Sequence, residues 1–160
     1  MVLGYHRADW KRVPSEDAVQ DALRPFKIPP GDYMLPCPTS AAVARSPEFV
    51  AKRDKGPVLV MTTWSAGPQG MGRNLALWFV YDVVVGVFAG YVAGAALGPG
   101  APYLNVFRFV GTVAFAGYAL ALMQHSIWYQ RSWATTFRSM FDGLIYALLT
   151  AGTFGWLWPK

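Results

Sequence analysis

The chain has 160 residues, of which 54% are apolar or aromatic and 14% are charged, and its formal net charge is +5. Ten of the 14 Lys and Arg residues precede Asn74 and flank apolar stretches instead of forming a basic stripe, which argues against nucleic acid as a partner. Cys37 is the only cysteine, so an intrachain disulfide and a CxxC metal or redox site are excluded.

The first 73 residues predict a small cytoplasmic or interfacial region of α+β or irregular structure. Ser15, followed by two acids, predicts a helix start, and a second start is predicted at Ser46-Pro47-Glu48 with a stop at Gly56. Tyr33 to Leu35 predicts a short strand. The eight residues Pro57 to Trp64 predict a strand or an interfacial segment, because a spanning helix needs about 20 residues.

Three apolar stretches in the transmembrane region 74–158 are long enough to cross a hydrocarbon core of about 30 Å. They are residues 74–97, 106–123 and 141–158. The fold class predicted is therefore an all-α membrane protein with three transmembrane helices.

The connection before the third stretch has its own pattern. Within residues 127–140 the apolar side chains fall on one helical face and the arginines on the other, which predicts an interfacial amphipathic helix. Ser139 and Asp142 have the spacing of a capping box, which predicts that the third span opens there.

The distribution of basic residues predicts the orientation. The N-terminal region is rich in Lys and Arg, the first connection carries no charge, and the second holds Arg131 and Arg138. Cytoplasmic loops carry the excess of basic residues, so the N-terminus is predicted inside and the C-terminus outside. Arg108 and Lys160 lie on the predicted outer side and weaken this asymmetry without reversing it.

Small residues recur at four-residue spacing in the first and third spans. Such stripes let helix backbones approach closely in lipid, where association gains little from hydrophobicity. The two stripes are predicted either to pack against each other within one subunit or to face another copy or another protein. The helix-packing residues are Gly86, Gly90, Gly94 and Gly98 in the first span and Gly143, Ala147, Ala151 and Gly155 in the third. Gly111, Ala114 and Gly117 offer a weaker surface in the second.

Asp82 is the one charge inside the first span, four residues before Gly86 and so on the same helix face. A charge at the bilayer centre costs about 2.5–3.5 kcal/mol on insertion scales, so the carboxyl needs a partner or a proton. One interpretation is a proton or cation site, or a polar contact to another helix. The other is a carboxyl satisfied by Tyr146, Thr150 or an arginine of the same subunit.

The sequence contains no catalytic motif, and neither His6 nor His125 has a second ligand at metal spacing. No catalytic residue, metal or cofactor is predicted. The leading hypothesis is a small non-enzymatic membrane protein that assembles by helix packing, as an accessory subunit of another membrane protein or with itself. The alternatives are a small oligomeric transporter or channel with Asp82 in the conduit, and a membrane enzyme.

Three segments resemble an uncharacterised family of short bacterial inner-membrane proteins. They are GPQGMGRNLALWFVY, FRFVGTVAFAGYALALMQHSIW and TTFRSMFDGLIYALLTAGTFGWLWP. The resemblance covers about residues 25–159. It implies a bacterial inner-membrane location and a few-helix architecture, and it carries over no functional residue.

Overall fold

A computed structural model describes residues 4–68 and 70–160 of the chain. These residues form two compact units. The small unit comprises residues 11–68, and the helical unit comprises residues 4–10 together with 70–160. Residues 4–10 thus pack with the helices, although they precede the small unit in the sequence.

The small unit contains three short α-helices, a 3₁₀ helix at Arg24–Phe26 and a two-stranded sheet. Its α-helices and strands are α1 (Glu16–Leu23), β1 (Gly31–Leu35), α2 (Ala41–Ala44), α3 (Pro47–Lys55) and β2 (Leu59–Thr63). The strands are antiparallel, with Gly31 opposite Thr63 and Leu35 opposite Leu59. This pairing confirms both predicted strands, and α3 begins and ends where the cap and the glycine predict.

Serine hydroxyls cap two of these helices. The Ser40 hydroxyl accepts the Val43 amide, and the Ser46 hydroxyl accepts the Phe49 amide, both at 3.2 Å. Such bonds satisfy amides that have no partner within the first turn of a helix. Ser15 behaves differently: its backbone is left-handed with φ 52°, and its hydroxyl caps no amide of α1 in the described structure.

The helical unit contains the long helices. A 3₁₀ helix spans Gly4–Asp9, and α4 (Met71–Ala96), α5 (Tyr103–Tyr118), α6 (Met123–Tyr129) and α7 (Trp133–Leu157) follow. The stretches Met71–Ala96, Tyr103–Tyr129 and Trp133–Leu157 are long and apolar enough to cross a membrane. Three helices with the length and apolar character of membrane spans are therefore confirmed, and all three begin earlier in the sequence than the predicted residues 74, 106 and 141.

The structure corrects the predicted interfacial helix over 127–140. Helix α6 ends at Tyr129, because Gln130 turns left-handed with φ 55°, and residues 133–140 form the first turns of α7. No helix begins at Ser139, whose hydroxyl donates to the Thr135 carbonyl at 3.0 Å inside α7. Continuing one helix keeps every backbone group bonded along the chain, which an apolar environment favours.

Helix α5 packs against both α4 and α7 and forms the centre of the helical unit. The contact residues of α4 and α7 are small or β-branched and recur every four residues, so the backbones approach closely. Those buried at the contacts are Val85, Ala89 and Ala93 on α4, Val106, Val110 and Ala114 on α5, and Ala147 and Ala151 on α7. Buried hydroxyls of Ser126 and Thr136, 2.7 Å apart, join α6 to α7.

Candidate functional site

The stripe of the third span is an internal packing surface. A Cβ added to Gly143 would lie 3.0 Å from the Ala119 Cβ and 3.1 Å from the Tyr118 carbonyl oxygen. At the other end of α7, a Cβ added to Gly155 would meet the Tyr103 ring at 2.7 Å. Because these partners lie on or just after α5, the stripe packs within the subunit, but against α5 and not against the stripe of α4.

The surface predicted to be the weaker one, on α5, is central to the fold. Gly111 faces the Ala151 methyl of α7, and Gly117 faces the Val85 side chain of α4, each at 3.2 Å from an added Cβ. Ala114 between them is fully buried. The small residues of α5 therefore allow close packing against both α4 and α7.

The stripe of the first span is only partly filled. The Phe154 ring occupies the space beside Gly90, 2.9 Å from an added Cβ. Within the described residues nothing lies within 4 Å of an added Cβ at Gly86, Gly94 or Gly98. Gly98 follows the end of α4, and its carbonyl accepts the Trp158 indole N–H at 3.2 Å. In the described structure no side chain therefore packs on Gly86 or Gly94, although α4 packs against α5 through other residues.

Asp82 lies deep in α4. It is eleven residues after Met71, which places it about 16 Å along the helix axis. Its Oδ1 atom is buried and has no hydrogen-bond partner among the residues described. A buried carboxylate oxygen without a partner is costly, so this atom stands out from the satisfied polar groups around it.

A cavity of about 350 Å³ opens beside Asp82 between α4 and α7. Its polar lining includes Tyr118, Tyr146 and Thr150, so the structure does bring the predicted partners to the aspartate. The Thr150 hydroxyl nevertheless donates to the Tyr146 carbonyl at 2.9 Å instead of to the carboxylate. On α4 itself, the Tyr81 hydroxyl donates to the Gly117 carbonyl at 2.6 Å.

A second polar cluster joins the N-terminal 3₁₀ helix to α7. His6 bonds two carboxylates, with its Nδ1 atom 2.6 Å from Asp9 and its Nε2 atom 2.5 Å from Asp142. The Tyr5 hydroxyl donates to Asp142, and the Arg138 guanidinium donates to Asp9. Asp142 therefore anchors the N-terminal segment, a role that differs from the predicted helix cap.

Hydrogen bonds and charges within this cluster shift the pKa values of Tyr5, His6 and Asp9. The hydrogen bond to Asp9, followed by the bond to Asp142, raises the pKa of His6. The hydrogen bond from His6, helped by the charge of Arg138, lowers the pKa of Asp9, whose side chain is only 3% exposed. Donation of its hydroxyl to Asp142 raises the pKa of Tyr5 to about 12.

Two further cavities share lining residues with this cluster and with the Asp82 cavity. One of about 640 Å³ is lined by His6, Asp9, Asp142 and Tyr146, and one of about 390 Å³ is lined by Asp142, Tyr146 and Tyr118. Tyr146 lines all three cavities. The three spaces thus follow one another from the N-terminal 3₁₀ helix to Asp82.

Sequence reasoning missed Tyr5, His6 and Asp9, because nothing in a short polar segment identifies contacts 129 to 137 residues away. The polar face of α7 did leave a signal, since Asp142, Tyr146 and Thr150 are four residues apart. Within residues 4–68 and 70–160 no group of three or more His, Cys, Asp or Glu residues is arranged to hold a metal ion.

Comparisons with protein-family models, curated proteins and solved structures find no match to this chain.

Proposed function

We propose that the protein is a small non-enzymatic subunit of the bacterial inner membrane that assembles with a second copy of itself through α4. The observation that carries this proposal is the contrast between filled and open glycines. Rings fill the space beside Gly90 and Gly155, whereas Gly86 and Gly94 face empty space in the described structure.

The exposed Tyr91 ring of α4 favours a second copy as the partner. It is 74% exposed and precedes Gly94 by three residues, so the ring and this open glycine lie on one face of the helix. Within the subunit, Phe154 shows how a ring packs on a glycine of α4. A surface that carries both an exposed ring and an open glycine can pack against a second copy of itself, ring on glycine. A two-fold symmetric interface requires such self-complementarity.

The test is the mass of the protein in lipid nanodiscs and in mild detergent. We expect the wild type to be a dimer or larger, and the double variant Gly86→Leu, Gly94→Leu to be a monomer, because leucine closes both gaps. Gly72→Leu is the matched control, since nothing in the described structure lies within 4 Å of an added Cβ there and Gly72 is outside the stripe.

Two outcomes would contradict the proposal. A monomeric wild type in native lipid is one, and equal masses for the double variant and the wild type are the other. A different protein that co-purifies in fixed ratio and is lost only from the double variant would replace the second copy as partner.

A further inference from the structure

The surroundings of Asp82 leave its charge uncompensated. The titratable groups that face it are Tyr81 on its own helix, Tyr118 on α5 and Tyr146 on α7. No Lys, Arg or His lines its cavity in the part of the chain that the structure describes. A carboxyl at this depth without a counter-charge is stabilised by binding a proton, since the neutral acid needs no ion partner.

A polar face of α7 leads from the N-terminal cluster toward this carboxyl. Asp142, Tyr146 and Thr150 are four residues apart, so they lie above one another, about 6 Å apart along the axis. The three consecutive cavities follow the same face. Each has room for several water molecules, which bridge polar groups separated by such distances.

We infer that Asp82 is a proton-binding site within the membrane, which exchanges its proton with the side of the membrane that carries the N-terminal 3₁₀ helix, through Asp142 and Tyr146. In each transfer the Asp142 carboxylate takes one proton from the protonated His6 ring, or from a hydronium ion on the N-terminal side, and passes one on, so Asp142 ends unchanged. The Asp82 carboxylate gains one proton. The Tyr146 hydroxyl accepts one proton as it gives up its own, and so ends unchanged.

This inference goes beyond assembly and does not depend on it. The route from Asp142 to Asp82 lies within one subunit, and Gly94 lines none of its cavities, so the single variant Gly94→Leu keeps the route. Gly86 lines the Asp82 cavity, so Gly86→Leu is left out of this comparison. A second copy packed on α4 would cover the open side of the Asp82 cavity without supplying any part of the route. A loss of assembly and a loss of proton exchange are therefore separate results.

The test uses dicyclohexylcarbodiimide, an apolar reagent that adds a protonated carboxylic acid across one of its C=N bonds and rearranges to a stable N-acylurea. The full chain is reconstituted in vesicles of one orientation, and the pH is set independently on the two sides. We expect mass spectrometry to find the adduct on Asp82, to a degree that follows the pH on the N-terminal side. The Asp82→Asn variant should carry no adduct at this position.

Substitutions along the route give the second measurement. After a sudden drop in pH on the N-terminal side, we expect Tyr146→Phe to slow labelling of Asp82 roughly tenfold, as loss of one proton-transferring group raises the barrier. Tyr91→Phe is the matched control, since Tyr91 lies on α4 with its ring 74% exposed and lines none of the three cavities.

Three results would overturn the inference. Asp82 could stay unlabelled at every pH, its labelling could follow the pH on the C-terminal side, or Tyr146→Phe could label as fast as Tyr91→Phe. The side dependence is measured on the wild type, so it decides the matter even if a variant fails to fold.

Discussion

At the scale of single residues, Gly143 is the tightest small-residue contact with backbone. Its neighbours are the Tyr118 carbonyl and the Ala119 methyl, neither of which can rotate away. We expect Gly143→Ala to lower the free energy of unfolding by about 1–3 kcal/mol, the usual cost of overpacking a close contact. Titration with sodium dodecyl sulfate in mixed micelles, followed by circular dichroism, measures this change.

Gly152→Ala is the control for that experiment, because it makes the same substitution on the same helix. An added Cβ there would meet only the Tyr103 hydroxyl oxygen at 3.7 Å, which is ordinary contact. Alanine favours a helix by up to about 1 kcal/mol over glycine, so this variant should be as stable as the wild type or more so. Equal stability of the two variants would show that Gly143 does not hold α5 and α7 together.

The sequence identifies such residues better than it identifies their partners. Four-residue spacing is enough to predict that Gly143 and Gly155 lie at a helix contact. It does not say which helix they meet, because Gly111 and Gly117 on α5 are six positions apart with no other glycine between them and form no obvious stripe. The depth of Asp82 is predictable from counting residues, whereas its lack of a partner depends on where Thr150 directs its hydroxyl.

At the scale of elements, the N-terminal 3₁₀ helix is attached to α7 by groups that titrate. The pKa of His6 is raised above its ordinary 6.5, so the stabilisation from its protonated form is complete below that value and is lost as pH rises through the raised pKa. The pKa of Asp9 is lowered below 3.8, so its contribution is present above that value and is lost as pH falls through the lowered pKa.

The N-terminal 3₁₀ helix is therefore held most firmly to α7 between the lowered pKa of Asp9 and the raised pKa of His6. The attachment weakens as the pH rises above the pKa of His6. We expect residues 4–9 to be more protected from hydrogen–deuterium exchange, corrected for intrinsic rates, at about pH 6 than at an alkaline pH above the raised pKa of His6. His6→Gln should lose most of this difference, because glutamine does not titrate. Protection that is the same at both values in the wild type would contradict the prediction.

Elements of regular pattern were predictable, and the connections between them were not. Strand β2 and helix α3 follow local signals, namely β-branched residues for the strand, and a capping serine and a glycine stop for the helix. The start of α7 follows no such local signal. The pattern of residues 127–140 fits an interfacial helix as well as it fits the first turns of a longer spanning helix. Only the left-handed turn at Gln130, a residue with no strong preference for that conformation, decides between them.

At the scale of the whole molecule, the two ends of the helical unit differ in charge. The connection after α4 lies beside the C-terminus, since the Gly100 amide donates to the Pro159 carbonyl at 2.8 Å. The N-terminal 3₁₀ helix packs at the opposite end, on the first turns of α7. That end carries Arg7, Arg73, Arg131 and Arg138, whereas the C-terminal end carries Arg108 and Lys160.

This asymmetry predicts that the arginine-rich end faces the cytoplasm, because basic residues near helix ends resist translocation. Alkaline phosphatase fused after Lys160 should then be active, and green fluorescent protein fused at the same point should be dark. Fusions after Gln130, between α6 and α7, are the matched control and should give the reverse pattern, since they end at the other side of the membrane. Fluorescence from the fusion after Lys160 would contradict the orientation, and it would then place the entrance of the Asp82 route on the periplasmic side.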